Sequence, residues 1–177
     1  MTDWFAPPGP EGSVCRCCGG PVIVDDARVR NPSENPLISL GYEGRDAAEL
    51  IDQLRASGVN ALVDVRLTPL SRKPGLSKKR LAAALGEAGI AYVHLPQLGN
   101  PKENRAPFRA GEAGSHEEYR RILHTSNGRS ALAHVAELLD EGAVALLCFE
   151  RDHTTCHRHL VVSELQRATP KLQVIQL

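Results

Sequence analysis

From residue 37 onward, short apolar runs alternate with segments whose apolar residues recur at helical spacing. Repetition of a strand, a helix and a further strand predicts right-handed crossovers, and therefore a parallel sheet covered by helices on both faces. Strands are predicted at residues 37–42, 61–66, 90–95, 143–149 and 172–177, and helices at 46–56, 77–88, 128–140 and 157–168. The predicted fold is a three-layer α/β domain with a mostly parallel sheet of about five strands.

The first 36 residues differ from the rest, because they are rich in proline and glycine and have little periodicity. We therefore divide the chain into a Cys/Pro-rich arm, residues 1–36, and an α/β domain, residues 37–177. In the arm, Cys15 and Cys18 have the Cys-x-x-Cys spacing of half a zinc knuckle. The arm either binds a metal, with two further ligands from the domain or from a second chain, or carries mobile reduced thiols. Zinc is the cofactor that this spacing indicates.

The composition limits the class of function. Lys plus Arg and Asp plus Glu are both 21, so the formal charge is zero and any anion site must be local. The cysteine count of five is odd, and the cysteines fall in two distant groups, which argues against a secreted disulfide framework. The sequence contains no apolar run of about 20 residues and no secretory leader pattern, so we expect a cytoplasmic protein without a membrane partner.

The apolar run at 143–149 ends in a group of reactive side chains. Glu150 follows it, Cys156 directly precedes the next predicted helix, and His157 and Arg158 begin that helix. In a parallel sheet this turn lies at the carboxyl edge, where ligands bind, and a helix start favours anions and thiolates. Glu150, Cys156 and His157 are therefore candidate catalytic groups, with a lowered thiol pKa expected for Cys156, and Arg158 is a candidate anion ligand.

A second group follows the strand at 61–66. Asp64 and Arg66 point to the same side of a buried strand, so they either neutralise each other or face a polar site. Asp64 is a candidate acid or base and Arg66 a candidate substrate ligand. Arg72 and Lys73 come shortly before the start of the next predicted helix, so their side chains and the backbone N–H groups of the helix start are predicted to bind one anion together. His94, at the end of the third strand, completes the predicted binding residues.

The segment 96–115 contains glycines and prolines together with Lys102, Arg105 and Arg109. It is too long for an ordinary connection in a compact domain, so it is predicted to be a lid or binding loop. The alternative is a surface insertion without a role in binding.

Five motifs occur in an order typical of one known family: Asp64-Val65-Arg66, residues 71–78, residues 92–101, Leu147-Cys148-Phe149-Glu150 and Cys156-His157-Arg158. In this order the chain resembles the DUF488 family of bacterial and archaeal proteins, over about residues 37–177. The first strand departs from the family pattern, because Gly41-Tyr42-Glu43-Gly44 stands in place of a Gly-His-Ser-like turn. The resemblance implies an α/β domain with these motifs around one cleft, and it supplies no reaction.

Three functions fit these residues. The first is an enzyme acting on a phosphate-bearing small molecule or nucleic-acid end. Arg158 follows Cys156 too closely to form the Cys-x5-Arg cradle of cysteine phosphatases. An electrostatic or acid–base mechanism is therefore favoured over a thiol nucleophile. The second is a zinc or iron site using Cys148, Cys156 and His157, of which two are expected to ligate together because Cys156 and His157 are adjacent. The third is a non-catalytic module that binds nucleotides or nucleic-acid ends. We favour the enzyme because the site is chemically richer than binding requires.

Overall fold

The computed structural model describes residues 35–177 and confirms the α/β prediction. Its five strands are β1 (Leu37–Gly41), β2 (Ala61–Asp64), β3 (Ala91–His94), β4 (Val144–Cys148) and β5 (Val174–Gln176). Its α-helices are α1 (Ala47–Ala56), α2 (Lys78–Glu87), α3 (Lys102–Arg109), α4 (Ala113–Leu123), α5 (Ser126–Glu141) and α6 (Arg158–Ala168), with a 3-10 turn at Pro96–Leu98. Cys15 and Cys18, the predicted metal ligands of the arm, lie outside the described residues.

All strand pairs are parallel, and the order across the sheet is β3-β2-β4-β1-β5. One face packs against α1 and α2 through Leu50, Leu54, Leu81 and Leu85, and the other against α4 to α6 through Tyr119, Val135, Leu139, Leu160 and Val161. The helices that follow β1 and β2 therefore cover one face of the sheet, whereas the helix that follows β4, which lies between these two strands, covers the other face. Such a reversal opens a crevice at the carboxyl ends of the strands, and it lies beside β4.

The segment 96–115 is helical, so the prediction of a loop was wrong. It holds the 3-10 turn, α3 and the start of α4, and Gly111, with φ of +76°, joins the two helices. The buried Phe108 anchors α3, since its ring lies 4.3 Å from that of His116 and 5.6 Å from that of Tyr119. Short helices depend on such tertiary contacts more than on intrinsic helix propensity. The glycines and prolines of this segment are typical of loops, so the sequence did not indicate the helices.

Gly41 ends β1 directly beneath the chain that leaves β4. A Cβ atom at this position would lie 1.9 Å from the carbonyl oxygen of Glu150 and 2.8 Å from the Cα of Arg151. Only glycine permits such a close approach of two backbones. The residue type at the end of β1 thus sets where the loop after β4 can run.

No helix within residues 35–177 combines the length and the apolar character that crossing a bilayer requires.

Candidate functional site

A cavity of about 240 Å³ opens at the carboxyl edge of the sheet, in the crevice beside β4. Its walls come from the segments that follow β1, β2 and β4 and from α3 with the turn before it. The lining side chains include Tyr42, Arg66, Leu67, Leu70, Asn100, Arg105, Phe108, Arg109, Cys148, Phe149, Glu150 and His157. The segment 96–115 therefore contributes a wall of the cavity, although as helix and not as a flexible loop.

Three side chains of the cavity lining meet the buried thiol of Cys156 on one side of the cavity, and we call the four the Cys–Glu–His cluster: Cys148, Glu150, Cys156 and His157. One ligand-type atom of each lies within 4.8 Å of all the others. The Oε2 atom of Glu150 is 3.1 Å from the Sγ of Cys148 and 3.3 Å from that of Cys156. The Nδ1 atom of His157 is 3.8 Å from both sulfur atoms. Except for Glu150, the members are buried.

The last residue of β4 and the first turn of α6 bring these side chains together. Cys148 ends the strand, while His157 is the N-cap of α6 with a helical backbone, φ −57° and ψ −17°. This turn aims both the thiol of Cys156 and the ring of His157 at Cys148. The prediction that only two of Cys148, Cys156 and His157 ligate one ion together rests on the adjacency of Cys156 and His157. Adjacency does not keep these side chains apart, since all three converge and Glu150 joins them.

Arg158 lies behind the Cys–Glu–His cluster and is fully buried. Its Nε donates to the Sγ of Cys156 at 3.2 Å, and its Nη2 donates to the carbonyl oxygen of Glu150 at 2.6 Å. Its Nη1 has no hydrogen-bond partner among residues 35–177. A buried guanidinium is costly without an anion beside it, and the nearest acidic group that it contacts is the thiol of Cys156.

The two thiols have opposite pKa shifts. Burial raises the pKa of Cys156, but hydrogen bonds from Cys148 and His157 and the charges of His157 and Arg158 outweigh it, so the pKa lies well below its usual value. The hydrogen bond to Cys156, together with burial, raises the pKa of Cys148 well above its usual value. The directions of the two shifts favour the proton on Cys148 and negative charge on Cys156, the position before a helix start at which the sequence indicated a lowered thiol pKa.

Asp64 and Arg66 form a buried ion pair. Arg66 donates to Oδ1 of Asp64 through its backbone N–H and its Nε, at 3.1 and 2.8 Å, and to Oδ2 through Nη2. The hydroxyl of Tyr92 donates to Oδ2 at 2.7 Å, and Arg66 also donates to the Tyr42 hydroxyl and to the Leu76 carbonyl. Asp64 is 0% exposed, whereas Arg66 reaches the cavity wall. The pairing raises the pKa of Arg66 despite its burial.

The other predicted binding residues lie outside the cavity lining. Lys73 donates its Nζ to the carbonyl oxygens of Tyr42 and Arg45, so it fastens the turn after β1. Arg72 is exposed to solvent. His94 has its Nε2 2.9 Å from the Arg66 carbonyl oxygen and its Nδ1 3.0 Å from the Nζ of Lys78.

Two arginines on α3 take the place on the cavity wall that we expected for Arg72 and Lys73. Arg109 donates its Nη2 to Oε1 of Glu150 at 2.9 Å. Arg105 donates its Nε to the carbonyl oxygen of Asn100 at 3.1 Å and makes no ion pair within the described part of the chain. Arg105 and Arg109 are four residues apart, so in a helix they lie on the same face. Had the sequence of 96–115 been interpreted as helical, this spacing would have indicated the arginine pair.

Comparison with known protein families gives a match. The model of a family described as a domain of unknown function, DUF488, matches residues 46–165, which is more than half of the chain. The match includes the motifs at Asp64 and Arg66, the wall formed by α3, and the whole Cys–Glu–His cluster. Neither a curated protein nor a solved structure matches the sequence.

Proposed function

The chain belongs to the DUF488 family, whose description leaves the activity open, and we propose that it is an enzyme acting on a phosphate-bearing substrate, either a nucleotide or a nucleic-acid end. The observation that carries this proposal is the composition of a single cavity. It combines arginines on one wall, exposed apolar side chains at the rim, and thiol, carboxylate and imidazole groups on another side. A cavity with a few convergent polar groups is the usual form of an active site.

The arginines of α3 supply the anion site. Arg105 is exposed and has no carboxylate partner among residues 35–177, so its charge is available to a ligand. Arg109 is 52% exposed and pairs with Glu150. A phosphate in the cavity would compete with the Glu150 carboxylate for the Arg109 guanidinium. Guanidinium groups bind phosphate oxygens in a bidentate manner, which fixes the orientation of the ligand as well as its affinity.

The rim supports a ligand that also has an apolar part. Leu67 is 40% exposed, Leu70 76% and Phe149 40%, and all three line the cavity. The ring of Phe149 is held edge-on to that of Tyr42, with centroids 5.4 Å apart. A nucleobase stacks readily on such side chains. The volume of about 240 Å³ lies just below the roughly 300–1,000 Å³ typical of ligand pockets, which suits a mononucleotide or a terminal nucleotide.

The Cys–Glu–His cluster supplies the reacting groups in this proposal. Arg66 contributes to the anion site from the cavity wall, and Asp64 positions it through the buried ion pair. Arg158 acts from behind, by stabilising negative charge on Cys156. A larger cavity of about 500 Å³ lies between α5 and α6; its lining includes His124, Arg129 and Glu164 but no cysteine, so we place the reaction beside β4.

The test is a binding titration of the full-length protein by calorimetry, with inorganic phosphate, mononucleotides and a 5′-phosphorylated oligonucleotide as probes. Replacing Arg105 or Arg109 by alanine should weaken binding by about tenfold to a hundredfold, because a charged hydrogen bond contributes about 1.5–3 kcal/mol. Arg121→Ala is the matched control, since Arg121 is also exposed but pairs with Glu118 on α4. Equal affinity in all three variants would contradict the anion site.

Turnover separates the enzyme from a non-catalytic binding module, which the same cavity would also serve. Each ligand that binds is incubated with the protein, and the products are followed by mass spectrometry and phosphorus NMR. Conversion that disappears in Glu150→Gln supports the enzyme. Binding without conversion by the wild-type protein would replace it with the binding module.

A further inference from the structure

Four of the six ligand–ligand separations in the Cys–Glu–His cluster fit a tetrahedral metal site. With bonds of about 2.3 Å to sulfur and about 2.0 Å to oxygen or nitrogen, a tetrahedral ion separates a sulfur ligand from an oxygen or nitrogen ligand by roughly 3.5 Å. The four such separations are 3.1 and 3.3 Å from Glu150 Oε2, and 3.8 and 3.8 Å from His157 Nδ1. We propose that Cys148, Glu150, Cys156 and His157 bind one zinc ion.

Charge balance supports an ion among these side chains. The carboxylate of Glu150 lies in contact with two sulfur atoms, and with no proton or cation between them their negative charges would repel. Two thiolates and a carboxylate are neutralised by one divalent ion together with the buried guanidinium of Arg158. A buried site of this kind is stable only when its charges balance. The ion thus also accounts for a buried arginine beside a thiol.

The imidazole is already oriented for ligation. The Nε2 of His157 lies 3.3 Å from the carbonyl oxygen of Val65, which can only accept a hydrogen bond. Nε2 therefore carries a proton, and release of the Nδ1 proton on metal binding leaves the Nδ1 lone pair facing the sulfur atoms. Metal-binding histidines are commonly held in this way by a backbone carbonyl on the second nitrogen.

The carboxylate is held on its outer side too, because Arg109 donates to its Oε1 while its Oε2 faces the sulfur atoms. Two thiolates, an imidazole and a carboxylate favour zinc over the hard ions magnesium and calcium. Glu150 is the least buried of the four ligands and lies against the arginine wall. A phosphate that engages Arg109 would loosen Glu150 and open a coordination position to the cavity. This last step rests on the proposed function, whereas binding of the ion does not.

The experiment measures metal in the reduced full-length protein after loading with zinc and removal of free ion, by elemental mass spectrometry. The double variant Cys15→Ser/Cys18→Ser controls for a separate site in the arm. We expect about one zinc per chain from the cluster, retained in the arm variant and lost in Cys156→Ser. Loss in the arm variant alone, or no bound zinc in the wild-type protein, would overturn the proposal.

Loading with cobalt gives a second readout that does not depend on activity. Thiolate-to-cobalt charge-transfer bands should appear in the wild-type protein, and Glu150→Gln should change the d–d bands while keeping the charge-transfer bands. Glu150 is partly exposed, so this variant keeps the proposal testable should the Cys156→Ser protein fail to fold. Absence of charge-transfer bands would refute thiolate ligation. Phosphate binding that persists in a metal-free variant would leave the anion site intact, so the two proposals can fail separately.

Discussion

Replacing Asp64 by alanine tests whether the buried ion pair is a structural anchor of the site. The carboxylate is fully buried and accepts hydrogen bonds from the backbone, Nε and Nη2 of Arg66 and from the hydroxyl of Tyr92. Its removal leaves a guanidinium that is only 6% exposed without a counter-charge. Breaking a buried pair in this way costs about 3–5 kcal/mol, out of a total stability of about 5–15 kcal/mol for a domain.

Equilibrium unfolding in urea, followed by circular dichroism, measures this cost. With a slope of about 2 kcal/mol per molar urea, a loss of about 4 kcal/mol lowers the unfolding midpoint by about 2 M. The double variant Asp64→Leu/Arg66→Met is the control, because replacing both charges by apolar groups should recover most of the loss. A cost below about 1 kcal/mol for Asp64→Ala would refute the reasoning. Loss of ligand binding at unchanged stability would instead give Asp64 a direct role with the substrate.

Two further substitutions test how the cavity walls are held. Gly41→Ala should lower the free energy of unfolding by about 1–3 kcal/mol and displace the backbone of Glu150, since the new Cβ would lie 1.9 Å from the Glu150 carbonyl oxygen. Gly86→Ala is the control, because Gly86 lies on an exposed turn of α2 with open space around it. This control should raise the free energy of unfolding by about 0.5–1 kcal/mol. Equal effects of the two in urea unfolding would contradict the close approach. Tyr119→Phe should lower the free energy of unfolding by about 1–3 kcal/mol, because the buried carbonyl oxygen of Leu98 loses the Tyr119 hydroxyl that donates to it at 2.5 Å. A thermal unfolding temperature equal to that of the wild type would argue against this hydrogen bond.

The contrast between α5 and α3 shows where sequence periodicity was informative about the fold. The helix predicted at 128–140 is observed as Ser126–Glu141, because a long amphipathic segment repeats its apolar positions over several turns. Helix α3 has eight residues, a proline inside it and one buried side chain, so its sequence resembles a loop. Its helical form depends on the packing of Phe108 against α4, which periodicity does not report.

The candidate site shows the same division. The sequence placed Cys148, Glu150, Cys156 and His157 at the carboxyl edge, because strand ends and helix starts can be located from the apolar pattern. It did not indicate that Cys156 and His157 aim at the same point, since this depends on backbone angles at the start of α6. Nor did it show that Arg109 contacts Glu150, because these residues are brought together only by packing of α3 over the cavity.

The sequence alone thus determined the α/β class, the parallel sheet and the edge at which the chemistry lies, because these follow from local patterns of apolar side chains. The tertiary structure decided the role of each charged group. Asp64 is fully buried and holds Arg66 at the cavity wall, while Arg105 lines the same cavity without a carboxylate partner among residues 35–177. Burial and the distance between charges decide whether a pair is structural or available to a ligand, and both arise only when distant segments pack.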